Sequence, residues 1–350
     1  MTTVCHPALI LPENVLTQEE LLEVTPRVFG DHPRLQTILR IIRNSGIRKR
    51  HFVQTPAAIM DHPGFEARNN LYIGETKRLG TQAAECALTN AHVSAAEIDM
   101  IVVTSCTGFM IPSLDAHLIN TLNFRPTTRR LPIAQLGCSA GASAIGLAHD
   151  YCSAHPGANV LIVAVELCSL CFQPVDTSLS AIVSAMIFGD GVAACVVKGK
   201  DATGFKVEAC STQLLPETEH YMGFDVKDSG FHIVLDKEVP GAVADKIVPA
   251  FKQFAAQQGR NMTDFDFYLL HPGGARVLDN LVRSLGIPES KVAPSLECLA
   301  EVGNLSSASV FAVVKNAFER HRPSHDSVGF LAAFGPGFSI EMSIGTWAER

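Results

Sequence analysis

The sequence predicts a layered α/β fold made of two similar halves, and three observations carry that prediction. The order strand, helix, loop, helix, strand occurs twice along the 350 residues. A single offset of 166 residues superimposes the first three members of each set. Finally, 47% of the residues are hydrophobic, yet no apolar run reaches the roughly 18 residues that a membrane-spanning helix needs. So much apolar surface belongs in a large core.

The elements match one by one. DMIVVTSC, from Asp99, starts acidic, continues as a β-rich apolar run and ends polar, and DFDFYLLH, from Asp264, does the same. Helical patterns follow in AHLINTLNF and in ARVLDNLVRSLGI. Next come LPIAQLGCSAGASAIGLAHDY and PSLECLAEVGNLSSASVFAVVKNAF, where small residues lead into an amphipathic helix. NVLIVAVEL and SVGFLAAFG close the two sets as short buried strands. Two βα units can look alike by chance, but four matches in one order favour an internal repeat. The halves are placed at 1–205 and 206–350.

A net charge of −7 argues against a nucleic-acid surface. The ten cysteines are scattered through apolar patterns, as in a reduced protein, and MTTVCHPALILPENV lacks the basic start of a signal peptide. A cytoplasmic location follows as the expectation. Cys168 and Cys171 have zinc-knuckle spacing, but no second pair accompanies them, so no metal is expected.

Cys138 stands where an apolar run meets a string of very small residues. A thiol there would feel the unpaired N–H groups and the positive end of a helix. The usual fate of such a cysteine is simple burial. The repeat changes the balance, because Cys138 plus 166 is Asn304 and Ser105 plus 166 is His271. If the halves face each other, a thiol, an imidazole and a carboxamide converge at strand ends and helix starts. His271 can hold a thiolate as an ion pair, and His271 and Asn304 can both donate to one developing oxyanion. Such a trio serves either a hydrolase or an acyl-transfer condensing enzyme.

GCSAGAS, LLHPGGARVLD, EVGNLSSAS and AAFGPGFSIE resemble the type III polyketide synthases related to chalcone synthase, and the resemblance spans nearly the whole chain. SCTGFMIPSLDAHLIN, PIAQLGC and ELCSLCFQP are most similar to the bacterial members that make tetrahydroxynaphthalene and phloroglucinol. The resemblance implies a thiolase-like αβαβα layered fold in a homodimer. It further implies that Cys138 carries the acyl chain while His271 and Asn304 promote decarboxylation of malonyl-CoA. Neither a cofactor nor an acyl carrier protein is required.

The same resemblance assigns Phe188 and Phe231 to the junction of CoA tunnel and cavity. It places Cys106, Cys171, Met222 and Ser306 on the cavity wall, and Ile111 on the loop that reaches the partner. The basic run Arg40, Arg43, Arg48, Lys49, Arg50 reads either as a solvated face or as a CoA phosphate clamp, with Arg48 the preferred contact, then Arg43 and Lys49. Phe224 stands where malonyl-primed relatives carry Tyr, and Ser306 where they carry Ala. Expected products are therefore a tetrahydroxynaphthalene-like aromatic or, with another acyl-CoA starter, phloroglucinol, an alkylpyrone or an alkylresorcinol. More distant alternatives are a ketoacyl-ACP synthase III-like enzyme and a thioesterase.

Overall fold

In a strand buried on both faces, alternate residues supply two different cores. The computed structural model describes residues 2–61, 63–200 and 202–349, and its strands behave in this way. Strand Met100–Thr104 sends Val102 into a central core and Ile101 and Val103 into an outer one. Strand Asn159–Leu167 repeats this with Val160 and Ile162 inside and Leu161 and Val163 outside. In the second half, Leu269 and Leu331 reach the same central core, while Tyr268, Leu270 and Phe330 face a third.

Two helices fill the centre. Ala140–Ala154 contributes Ala142, Ile145 and Ala148, and Ser309–Asn316 contributes Val310, Phe311 and Val314. They lie so close that a Cβ on Gly141 would stand 2.2 Å from the Ser307 carbonyl oxygen. The long helix Phe65–Asn90 covers one outer face. Helices Val248–Gln257 and Ala275–Leu285 cover the other. Five alternating layers result, helix, sheet, helix, sheet, helix.

The strand order shows the repeat directly. Met100–Thr104 runs parallel to both Arg129–Ile133 and Asn159–Leu167, and Asp190–Lys198 returns antiparallel. In the second half Phe267–Leu270 runs parallel to Val328–Gly335, and Ser339–Ala348 returns antiparallel. The short strand Thr2–Val4 joins the sets by pairing with Asp190–Lys198 on one side and Gly204–Leu214 on the other. No helix among the described residues is long and apolar enough to cross a membrane.

One member of the repeat departs from its partner. The residues before Cys138 form the edge strand Arg129–Ile133, whereas those before Asn304 form the helix Ala293–Val302. Pro132 suits an edge strand, while Leu, Glu and Ala favour the helix. The turns that follow still correspond. Gly137 and Gly303, again 166 apart in sequence, have φ of +51° and +71°. A Cβ would lie 2.6 Å from Pro336 Cδ at the first and 2.7 Å from the Ile187 carbonyl oxygen at the second. Both turns need a left-handed backbone and a missing side chain.

Candidate active site

Each half delivers part of one site. Cys138 lies in the tight turn Gly137–Ser139 that opens the central helix Ala140–Ala154. His271 follows strand Phe267–Leu270, and its N–H extends the sheet by donating to the Ala332 carbonyl at 2.8 Å. Asn304 is strapped across the halves. Its N–H donates to the Ile187 carbonyl, and its own carbonyl accepts from Gly189 N–H, both at 3.0 Å. All three side chains line a single cavity of about 650 Å³.

The carboxamide of Asn304 is oriented by its neighbours. Its Oδ1 accepts from Ser306 N–H at 2.8 Å and from Ser309 Oγ at 3.3 Å. With the oxygen engaged, the NH₂ group is left for the thiol, on which it acts as a hydrogen-bond donor. Ser306 adopts φ of +47°, an uncommon conformation for a residue with a side chain. Its Oγ accepts from the Cys138 thiol and also contacts Cys106 Sγ, each at 3.5 Å. Ser306 thus sits between two sulfurs.

The expected thiolate–imidazolium pair is not what these surroundings favour. Burial, with the Glu166 carboxylate adding to it, pushes the Cys138 thiol up to about 12, against its hydrogen bonds with Ser306 and Asn304. Burial also drives His271 down to about 3. His271 Nδ1 is buried without a partner, which leaves Nε2 to face the cavity. Burial thus disfavours the charged form of each group taken singly. Low dielectric penalises either charge, and among the described residues no carboxylate bonds the ring to offset the cost. Iodoacetamide should therefore label Cys138 slowly at pH 7 and about tenfold faster per pH unit up to its pKa. Peptide mapping by mass spectrometry reads this, and fast labelling independent of pH would reveal an ion pair instead.

The cavity gathers most of the expected wall. Cys106, Cys171, Met222, Phe224, Ser306, Phe188 and Phe231 all line it. Phe188 and Phe231 do not meet as a facing pair. Phe231 packs instead against Phe65 and Phe224, with centroids 5.5 Å apart in both cases, whereas Phe188 is held by backbone pairing to Asn304. Ile111 is 81% exposed and does not line the cavity of its own chain.

The basic run is dispersed. Arg48 and Lys49 both pair with Glu301, and neither lines the cavity. Arg43 is exposed at the end of helix Leu35–Arg43. Arg50 turns the other way and is buried at 2% exposure. Among the described residues no group of three or more His, Cys, Asp or Glu is arranged to hold a metal ion.

Glu166 was missed in the sequence. Wholly buried, it accepts from Cys106 N–H at 3.2 Å, Thr107 Oγ1 at 3.1 Å and the Ser307 hydroxyl. Burial raises its pKa while these bonds oppose the rise. A lone carboxylate near the end of the apolar run NVLIVAVEL was the available signal, since a buried charge there demands partners.

Comparison with known proteins agrees with this geometry. Residues 3–202 match the N-terminal domain of chalcone and stilbene synthases, and residues 206–345 match the C-terminal domain. A 1,3,6,8-tetrahydroxynaphthalene synthase of Streptomyces coelicolor is 46% identical over 99% of this chain and 92% of its own. A phloroglucinol synthase of Pseudomonas fluorescens is 42% identical over 99% of both chains. The crystal structure of the tetrahydroxynaphthalene synthase from Streptomyces coelicolor A3(2), described as a bacterial type III polyketide synthase, superimposes with a TM-score of 0.97. That match has 45% identity and covers 99% of this chain and 100% of the other. The chain belongs to the chalcone and stilbene synthase family of type III polyketide synthases, acyl-transferring condensing enzymes with a thiolase-like fold.

Proposed function

We propose that this enzyme condenses malonyl-CoA repeatedly on an acyl chain carried by Cys138 and cyclises the product to a small aromatic of the 1,3,6,8-tetrahydroxynaphthalene kind. One observation carries the reading: Cys138 from the first half meets His271 and Asn304 from the second in one largely apolar cavity. Its volume of about 650 Å³ suits a small-molecule site. Neutral His271 takes the thiol proton as sulfur attacks an acyl-CoA thioester, and that proton leaves with CoA. The ring then exchanges its Nδ1 proton, through water, for one on Nε2, and the malonyl thioester carbonyl accepts from His271 Nε2–H and the Asn304 NH₂ group. Loss of CO₂ passes its electron pair into the enolate that these donors stabilise. The enolate carbon attacks the Cys138 thioester and expels the sulfur, and reloading repeats the cycle. An apolar wall slows hydrolysis of the thioester between cycles.

In this reading CoA thioesters are the substrates, without metal, organic cofactor or acyl carrier protein, in the cytoplasm. Residues 1–205 and 206–350 act as the nucleophile-bearing and donor-bearing halves. Arg48, Arg43 and Lys49 are assigned to CoA phosphate; of these three, Arg43 alone has no carboxylate partner among the described residues. Phe109 and Ile111 are 54% and 81% exposed on one loop, and a second copy of the chain is proposed to cover them.

A second reading has its own observation. Phe224 presents no hydroxyl and packs tilted against Phe231, so one donor for a carboxylate-bearing starter is missing. An acyl-CoA starter leading to phloroglucinol, an alkylpyrone or an alkylresorcinol fits that wall. The test is product mass from malonyl-CoA alone. A pentaketide naphthalene is expected, and turnover that requires an added acyl starter would sink the first reading in favour of the second.

A further inference from the structure

Apart from its cysteines, the cavity is lined by only three ionisable side chains among the described residues, His271, Asp176 and Arg50. Of these, Arg50 is the one that carries a positive charge at every ordinary pH. It is 2% exposed, and its stem packs against Gly303, beside Asn304. Nη1 donates to the Phe188 carbonyl at 2.8 Å and to the Ala185 carbonyl. Those two bonds occupy one nitrogen. Nε and Nη2 have no protein acceptor among the described residues, and no carboxylate lies within ion-pair distance. Asp190 attracts Arg50 only at longer range, because its own oxygens accept from Val53 N–H, Ser169 N–H and Ser169 Oγ at 2.9, 2.8 and 2.6 Å. The Phe52 ring, 5.1 Å from the guanidinium carbon, offers a π-face and no acceptor.

A second observation marks the same place. Ser184, next to the Ala185 whose carbonyl holds Arg50, is 4% exposed and also lines the cavity. Its Oγ has no hydrogen-bond partner. A buried hydroxyl without a partner is costly in an empty protein, and the guanidinium beside it lines the cavity with Nε and Nη2 unclaimed by protein acceptors. They are expected where a ligand brings the acceptor.

We infer that Arg50, with Ser184 beside it, seats an anionic group of the substrate, the carboxylate of a malonyl thioester that primes Cys138. The inference rests on the proposed function and adds a positioning residue for the starter. The guanidinium bonds to the carbonyl of Phe188, whose backbone pairs with Asn304, so the seat adjoins the reacting groups without using their donors. A cation on the starter's carboxylate favours the intact malonyl unit and rewards a charged starter over a neutral alkyl one. It also supplies the donor that Phe224 lacks.

The test compares Ser184→Ala and Arg50→Lys with the wild type, using malonyl-CoA alone and then hexanoyl-CoA with malonyl-CoA. The quantity read is the ratio of kcat/KM for malonyl-primed to hexanoyl-primed product. Ser184→Ala is expected to lower this ratio about fivefold and Arg50→Lys about tenfold or more, because Lys keeps the charge but loses the planar fork. If Arg50→Lys fails to fold, Ser184→Ala decides alone. A ratio unchanged within about twofold, or one that rises, overturns the inference while leaving the proposed function standing. A wild type inactive with malonyl-CoA alone overturns the malonyl-primed function itself, and the seat with it.

Discussion

Replacing Cys138 by Ala is expected to abolish acyl-enzyme formation and to lower polyketide output by about 10⁴-fold or more. No other described cysteine can take over. Cys106, Cys168 and Cys171 line the same cavity and are raised by burial and Glu166 as Cys138 is, but none stands in the turn that opens the central helix, and none has the Asn304 amide as a hydrogen-bond partner. The variant should still release acetyl-CoA from malonyl-CoA, because the donors that stabilise the enolate are His271 and Asn304. Intact-protein mass after incubation with acyl-CoA reads the first effect, and chromatography of the CoA esters reads the second. A persistent acyl adduct, or polyketide output above about 1% of wild type, would remove Cys138 from its role.

Asn304→Asp should produce the next largest loss, about 10²–10³-fold in malonyl-CoA decarboxylation. The substitution is nearly isosteric, and one carboxylate oxygen can still accept from Ser306 N–H and Ser309 Oγ, so the loop keeps its conformation. What changes is the other end of the group, where an NH₂ donor becomes a negatively charged acceptor facing an incipient enolate. Loading of Cys138 should fall by no more than about tenfold, since that step relies on the thiol proton acceptor. Decarboxylation that survives at wild-type rate would show that His271 suffices alone.

Cys138, His271 and Asn304 were legible because chain order encodes them, as equivalent turns of a duplicated pattern. The layers were legible for a similar reason, since strands such as Met100–Thr104 read as continuous apolar runs with cores on both sides. The basic run was not. Arg48, Lys49 and Arg50 look interchangeable in sequence, yet Glu301 captures the first two while the third faces the cavity. Glu301 lies about 250 residues away, and no local pattern announces it. The charge state of Cys138 and His271 was not legible for a related reason. Charge state depends on how completely neighbours exclude water, and the sequence names the groups without stating the depth of burial. Ser306 was noted as a departure from relatives, but its position between two sulfurs appears only once its backbone conformation is known.

The close seating of the two central helices, with Gly141 against Ser307, has a consequence for the life of the chain. Under the proposed mechanism the nucleophile and the donors reside on separate halves that meet only when this seam closes. A nascent or partly unfolded molecule thus carries a thiol without its partners and cannot begin an extension cycle. Synthetic competence arrives together with completed assembly, so an acyl adduct capable of extension marks a finished fold. If that mechanism holds, the seam works as an interlock, keeping a reactive β-keto chain from being started where no closed cavity exists to protect it.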